Sequence, residues 1–407
     1  MDKKAKILIA VASLGYFVDA FDLILFGVVR VPSLKSMDLN DQEILYQGQQ
    51  LFNYQMIGMM IGGVFWGILG DKKGRRSVLF ASIILYSIAN LLNGFVTEIN
   101  QYTLLRILAG IGLAGELGVG VTLVSETLNK ETRGYGSSII ASFGALGALS
   151  APVIYKLILL VNFNNEAWRI AYIVGGLMGF LLLFLRIGVM ESGLYNKISA
   201  IEKGNILTIL SNKSTLKRYI TIILLGLPVW YLISILALIA PEMAKALHVN
   251  GIVENGNAIF FLYLGLATGD ICSGIISQKF KSRKKAIRLY LIFGSLMTMV
   301  YLHSFGISNE FFYFICFLIG LSAGYWALYL MMASELFGTN IRATVTTSVP
   351  NFVRGAIIPV NIVFLYISKN LGIINSAIII GIAGFTLALL SSYYLKETFG
   401  RDLDFVE

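Results

Sequence analysis

A run of about 20 apolar residues, the length one helix needs to cross the hydrocarbon core of a bilayer, recurs twelve times along this chain. The runs start near Ile7, Gln47, Ser77, Gln101, Gly134, Trp168, Tyr219, Gly256, Ala286, Glu310, Arg342 and Gly372. They leave no room for a separate water-soluble domain. Only 14% of the residues are charged against 57% hydrophobic, where water-soluble domains carry roughly 25% charged residues. The expected fold is therefore an all-α, multi-pass integral membrane protein with 12 transmembrane helices. The first run is too long for a cleavable signal peptide and is followed by more of its kind.

Lys and Arg give the chain its net charge of +9, and their placement orients the spans. They gather in the N-terminal tail (Lys3, Lys4, Lys6) and in alternate loops, notably DKKGRR at 71 to 76, the stretch from Lys197 to Arg218, and QKFKSRKKAIR at 278 to 288. Loops of the other parity, around Asp38 to Glu43, Glu98 to Asn100, Asn162 to Glu166 and Gly306 to Glu310, are poor in them. By the positive-inside rule both termini are expected in the cytoplasm. Charge dispersed over short loops accounts for the basic balance without a nucleic-acid partner. Cys272 and Cys316 lie inside apolar runs and His248 and His303 are the only histidines, so neither a disulfide framework nor a His-rich metal site is expected, and no cofactor.

The longest break divides the chain into two six-span halves, 1 to 190 and 218 to 407, joined by a polar cytoplasmic segment at 191 to 217. Three motif pairs fall at corresponding places in the halves. SETLNKETRG (125 to 134) answers to SELFGTNIRA (334 to 343), each with Ser-Glu followed by Arg at one offset. GILGDKKGRR answers more loosely to GIISQKFKSRKK, with Gln278 at the acidic position. MESGLYN (190 to 196) answers to KETFGRDL (396 to 403). Three matches in register imply a duplicated six-helix unit.

These residues resemble the major facilitator superfamily. GILGDKKGRR is similar to the family's signature between helices two and three, with its key positions at Gly67, Asp71, Gly74, Arg75 and Arg76. RILAGIGLAGE (Arg106 to Glu116) resembles the family's helix-four pattern. The Ser-Glu…Arg pairs (Glu126 with Arg133, Glu335 with Arg342) and the terminal ETFGR resemble the sugar-porter branch and its metabolite-transporting relatives. The paired glutamines of sugar porters in helices five and seven are missing, which argues against hexose transport. GLAGELGVG and the Asp-x-x-Asp of the first helix resemble bacterial metabolite:proton symporters and organic-ion transporters instead. The resemblance implies two pseudo-symmetric six-helix bundles that rock around a central site, a prokaryotic inner-membrane location and a fold able to work as a monomer. It also assigns Asp71, Arg75, Arg76, Glu126, Arg133, Glu335 and Arg342, at the cytoplasmic ends, to interdomain ion pairs; topological positive charge is the plainer reading of Lys72, Lys73, Arg75 and Arg76, and the two are compatible.

Isolated charges in a hydrocarbon span cost about 2.5 to 3.5 kcal/mol each on insertion scales, so each one kept needs a reason. In YFVDAFDLILFGVV, Asp19 and Asp22 share a helical face about 18 to 23 Å along the axis from Ile7. Two like charges in little water repel, so one is expected to load and release a proton. The plain alternative is a wet vestibule with a basic partner. By resemblance Asp22 faces Arg106 of helix four, a pair that protonation would release. Glu116, mid-span among glycines, is either a second proton carrier, a ligand for a cationic group, or a carboxyl held by neighbouring hydroxyls or backbone. Arg354, between Pro350 and Pro359, suits a carboxylate substrate; its alternative is an ion pair with Asp270, itself placed near the cytoplasmic end. Trp230, Tyr325, Trp326 and Tyr329 fall where spans seven and ten of the superfamily line the cavity, and could stack on a ring-bearing ligand or simply pack.

The function expected is proton symport of a small organic ion, a carboxylate, with export of drugs or siderophore-like compounds as the alternative. The absence of nucleotide-binding, HExxH and GxSxG motifs argues against an enzyme or a primary pump.

Overall fold

The computed structural model describes residues 3–128, 133–161, 166–185, 211–253, 255–402 and 405. Among them fifteen α-helices follow one another without a strand. The first half contains α1 (Lys3–Lys35), α2 (Asp41–Lys73), α3 (Arg75–Asn93), α4 (Ile99–Leu113), α5 (Glu116–Thr127), α6 (Arg133–Leu160) and α7 (Ala167–Leu185). The second half opens with α8 (Lys213–Tyr231), which runs into a π-helical turn (Leu232–Ala237) and the short α9 (Ala240–Ala246). There follow α10 (Asn255–Phe280), α11 (Arg283–Leu302), α12 (Asn309–Ala323), α13 (Trp326–Leu336), α14 (Arg342–Gly355) and α15 (Ile357–Tyr394). Helices are the natural answer for such a chain, because in lipid each backbone donor and acceptor must be satisfied within its own segment.

Ten stretches among the described residues are long and apolar enough to cross a membrane, and the other two expected spans differ for physical reasons. The fourth is cut into α4 and α5 at Ala114–Gly115. The eleventh is α14 plus the start of α15, and α14 carries Arg342, Thr344, Thr346, Thr347, Ser348, Asn351 and Arg354, all buried. A helix that polar can exist at membrane depth only if protein surrounds it. Within α15, Gly372 adopts φ 74°, the left-handed region, and there the eleventh span ends and the twelfth begins.

The duplication is visible in the breaks. The tenth span is cut at Gly324–Tyr325, as the fourth is at Ala114–Gly115, and the paired pieces begin 210 residues apart: α4 at 99 with α12 at 309, α5 at 116 with α13 at 326. Tight approaches repeat too. Gly110 of α4 lies against the Gln55 carbonyl of α2, and Gly320 of α12 against the Leu262 carbonyl of α10, with no space for a Cβ at either. Large apolar side chains such as Phe184, Leu181 and Tyr366 face outward, as a lipid-facing surface requires. Two seams join the halves, α2 against α14 and α6 against α10, and the functional residues lie along them.

Candidate functional site

At the centre stands Arg354, near the C-terminal end of α14. It is 2% exposed. Its Nη1 donates to Asn351 Oδ1 one turn earlier at 3.1 Å, and the guanidinium lies 5.7 Å over the Trp230 ring. Its Nε has no hydrogen-bond partner, and among the described residues no carboxylate closes an ion pair with it. A buried guanidinium without an acid is costly and attracts any anion that can reach it. Trp326, which opens α13, stands edge-on to Trp230 at 6.4 Å and stacks on Tyr329 at 5.0 Å. Arg354, Trp230, Trp326, Tyr16 and Tyr263 line a cavity of about 30 Å³, room for no more than a few waters. Tyr325 and Tyr329 do not line it: Tyr325 Oη donates to the Leu225 carbonyl at 3.0 Å and Tyr329 backs onto Gly226.

The buried acids sit on α1 beside this cavity. Asp22 is fully buried and neither carboxylate oxygen has a hydrogen-bond partner, although Arg106 and Asn90 are close enough to act on it. The contact ion pair expected between Asp22 and Arg106 is not formed. Arg106 Nη2 donates instead to Asn90 Oδ1 at 2.9 Å, and its guanidinium sits over the rings of Tyr172, Phe26 and Tyr102 at 4.9, 5.7 and 6.0 Å. An aromatic cage holds this cation, so it does not need the carboxylate to stay in place. Asp19 lies one turn from Asp22 at 1% exposure, and its charge and that of Arg354 both reach Tyr16. Tyr16, which lines the cavity, thus stands within reach of the Asp19 charge.

Two further acids serve the helix breaks. Glu116 is the first residue of α5, where a carboxylate complements the helix dipole, and Ser82 Oγ donates to its Oε1 at 2.9 Å. It does not line the cavity. Asp270 neither pairs with Arg354 nor lies at the end of its span: α10 continues ten residues beyond it, about 15 Å. Its Oδ1 accepts from the backbone N–H of Ala327 at 3.0 Å, in the first turn of α13. The two acids support equivalent breaks in the two halves.

At the signature end the seam between α2 and α14 is closed. Asp71 accepts from the backbone N–H groups of Ala343 and Thr344 at 3.0 and 2.8 Å and from Thr344 Oγ1 at 2.7 Å. Arg75 pairs with Asp71 at 3.3 Å and donates to the Thr339 carbonyl at 3.1 Å. Among the described residues, hydrogen bonds joining Asp71 and Arg75 to α14 and the turn before it thus cross between the halves. Gly74 has φ 98°, which only glycine adopts without strain, and Gly67 lies against Thr344. Arg76 is exposed, over the Phe80 ring at 5.6 Å. Within the second half, Glu335 pairs with Arg283 at 3.6 Å, and Arg342 donates to the Ser334 carbonyl and Thr339 Oγ1 at 2.9 and 3.0 Å. The side chains of Glu126 and Arg133 lie outside the described residues.

Toward the far end the molecule opens in steps. The central cavity shares Trp230 and Tyr263 with a second cavity, which shares Phe52 and Ser234 with a third of about 190 Å³. Arg30 and Glu242 line that vestibule. Neither they nor Asn90, Tyr16 and Tyr263 stood out in the sequence as site residues; the one available signal was Arg30, a cation inside the apolar run ILFGVVRVPSL.

Comparison with known proteins agrees with this architecture. The family profile described as Major Facilitator Superfamily matches residues 12–359. A putative niacin/nicotinamide transporter, NiaP, of Bacillus subtilis is 32% identical over 193 residues, 47% of this chain and 46% of that protein, so the chain spans about half the length of that relative. A probable 4-methylmuconolactone transporter of Cupriavidus pinatubonensis is 24% identical over 95% of this chain and 89% of its own. The solved structure of the proton:xylose symporter XylE bound to 6-bromo-6-deoxy-D-glucose superposes with a TM-score of 0.77 over 98% of both chains at 16% identity, a likeness of fold.

Proposed function

The chain belongs to the Major Facilitator Superfamily, and from that premise we propose that this transporter carries a small ring-bearing carboxylate together with a proton, exposing the Arg354 cavity alternately to the two sides of the membrane. The observation that carries the reading is Arg354 itself, a buried guanidinium aimed into the cavity with no acid beside it. Arg can grip a carboxylate with two parallel hydrogen bonds, and Trp230 and Trp326 offer faces for a ring. Two of its relatives are named for ring compounds, niacin/nicotinamide and 4-methylmuconolactone, which supports that class.

Asp22 is the proton carrier in this reading, with Asp19 supporting it. While Asp22 is ionised it attracts Arg106 across the gap between α1 and α4; protonation removes that attraction and frees these helices to rearrange. Glu116 steadies the break in the fourth span. The positively charged signature end faces the cytoplasm, the protein lies in a bacterial cytoplasmic membrane, and each monomer works alone.

Proton movement in proteoliposomes, followed with a pH dye, tests this with nicotinate, benzoate and the uncharged nicotinamide. Both carboxylates are expected to drag protons and the amide is not. Arg354→Gln should cut carboxylate uptake about 10- to 100-fold, since hydrogen bonds to charged groups are worth about 1.5 to 3 kcal/mol, and Asp22→Asn should abolish proton movement while counterflow persists. Uptake indifferent to pH, or a preference for the amide, overturns the reading.

A further inference from the structure

We propose that the vestibule at the far end is a second binding site, where a ring carboxylate is staged on Arg30 before it passes Ser234 to the central cavity. This rests on the substrate class proposed above. On that orientation the vestibule faces outside.

Size comes first. In the state observed the central cavity is closed down to about 30 Å³, too little for a ring until it opens, whereas the vestibule already has about 190 Å³ and an apolar cavity of about 150 Å³ suffices for benzene. Phe26, Phe52 and Phe364 wall it. Polar groups converge on it from both halves: Arg30 from α1, Asn53 from α2, Ser234 from the π-helical turn, Glu242 from α9 and Asn361 from α15.

Two of its polar groups stand ready for a ligand. Arg30 Nε is shut off from solvent with no hydrogen-bond partner. Its stem is seated against Gly48 of α2, where an added Cβ would come within 3.0 Å of Arg30 Cγ. Ser234, on the π-helical turn, is 4% exposed, and its Oγ too has no partner. It lines both the vestibule and the next cavity inward. Arg30 follows Asp22 by eight residues, about 12 Å along α1, so the chain sets two guanidinium groups, Arg30 and Arg354, at successive depths of one path. Glu242 at the rim is near enough for its charge to act on Arg30. With the vestibule empty it competes for the guanidinium; a bound carboxylate displaces it.

The competition gives the test its sign. Uptake of 4-fluorobenzoate in proteoliposomes and its binding to the purified protein by fluorine NMR are measured together. Arg30→Gln is expected to raise the KM for uptake about tenfold, the loss of one charged hydrogen bond, with counterflow at saturation kept within twofold. Arg30→Lys should recover part of the loss. Glu242→Gln should lower the KM by freeing Arg30, and Arg354→Gln should retain saturable binding. If Arg30 and Glu242 merely tied α1 to α9, both substitutions would move the KM the same way, and that result overturns the proposal. So does an Arg354→Gln protein that binds no 4-fluorobenzoate. Wild-type protein that neither binds nor carries any ring carboxylate overturns the substrate class as well, whereas normal uptake indifferent to Arg30 overturns the staging site alone.

Discussion

Glu397 shows how much one carboxylate can organise. Ser282 Oγ donates to it, as do the backbone N–H groups of Arg283 and Lys284 at 2.9 and 3.3 Å and those of Thr398 and Phe399 at 2.9 and 3.0 Å. It caps α11 from the far end of the second half. Burial alone would raise its pKa, but the hydrogen bonds from Ser282, Phe399, Arg283 and Thr398 outweigh that and hold it below its ordinary value. A carboxyl depressed on folding stabilises the protein above its unfolded value, about 4.3 for Glu, and the contribution fades as pH falls through the lower folded value. Glu397→Ala should therefore melt a few degrees below wild type near neutral pH, the loss of a cap worth about 1 kcal/mol. In acid below the depressed pKa the two melting curves should converge. A gap independent of pH would mean the side chain acts by packing alone. The motif KETFGRDL was legible as half of a repeat, but its role as a cap was not, because its partners Ser282 and Arg283 are more than a hundred residues away and no local spacing announces them.

Among the described elements, α14 is a helix whose start is capped from the other half of the molecule. Its own boundary residue, Ile341, supplies no side-chain cap, and its first free N–H groups are satisfied by Asp71 of α2. An orphaned helix start has to find water or another partner, so separating the seam costs α14 its cap and closing it restores the cap. Asp71→Ala should then bias the protein toward the state open at the signature end. Losing acceptors for buried N–H groups costs about 1 to 3 kcal/mol. That is a shift in population of about fivefold to somewhat over a hundredfold, since about 1.4 kcal/mol is tenfold. Maleimide labelling of Thr346→Cys, in a background with Cys272 and Cys316 replaced by Ser, reads it: the buried position should label about ten times faster in Asp71→Ala. An unchanged rate would remove Asp71 from the latch. Helix existence was legible from apolar length throughout. The breaks at Ala114–Gly115 and Gly324–Tyr325 were not, because an apolar run reads the same whether its helix is whole or cut. In α14 the sequence singled out only Arg354, as a cation between Pro350 and Pro359; that six further polar residues of this helix are buried around it depends on packing from the other half, which no local pattern announces.

For the whole molecule, the question is what keeps two similar halves from settling in one arrangement. The duplication could be read from the motif pairs, and the paired breaks 210 residues apart repeat it in three dimensions. Which state the chain adopts could not be read, because every motif is compatible with both. The observed state is sealed at the signature end by a seam with no spare room: a Cβ on Gly67 would stand 2.6 Å from Thr344 Cα across it, closer than packed atoms come. Gly67→Ala should thus exclude this state without touching the packing inside either half, and the melting temperature should fall by no more than a few degrees. If the halves move as rigid bodies about the centre, opening one end closes the other. Thr346→Cys should label faster in Gly67→Ala, and a cysteine at Asn361 in the far vestibule should label more slowly, while net transport is lost because one of the two states is no longer reachable. Faster labelling at both positions would mean that the added methyl loosens the fold and that the two ends are not coupled.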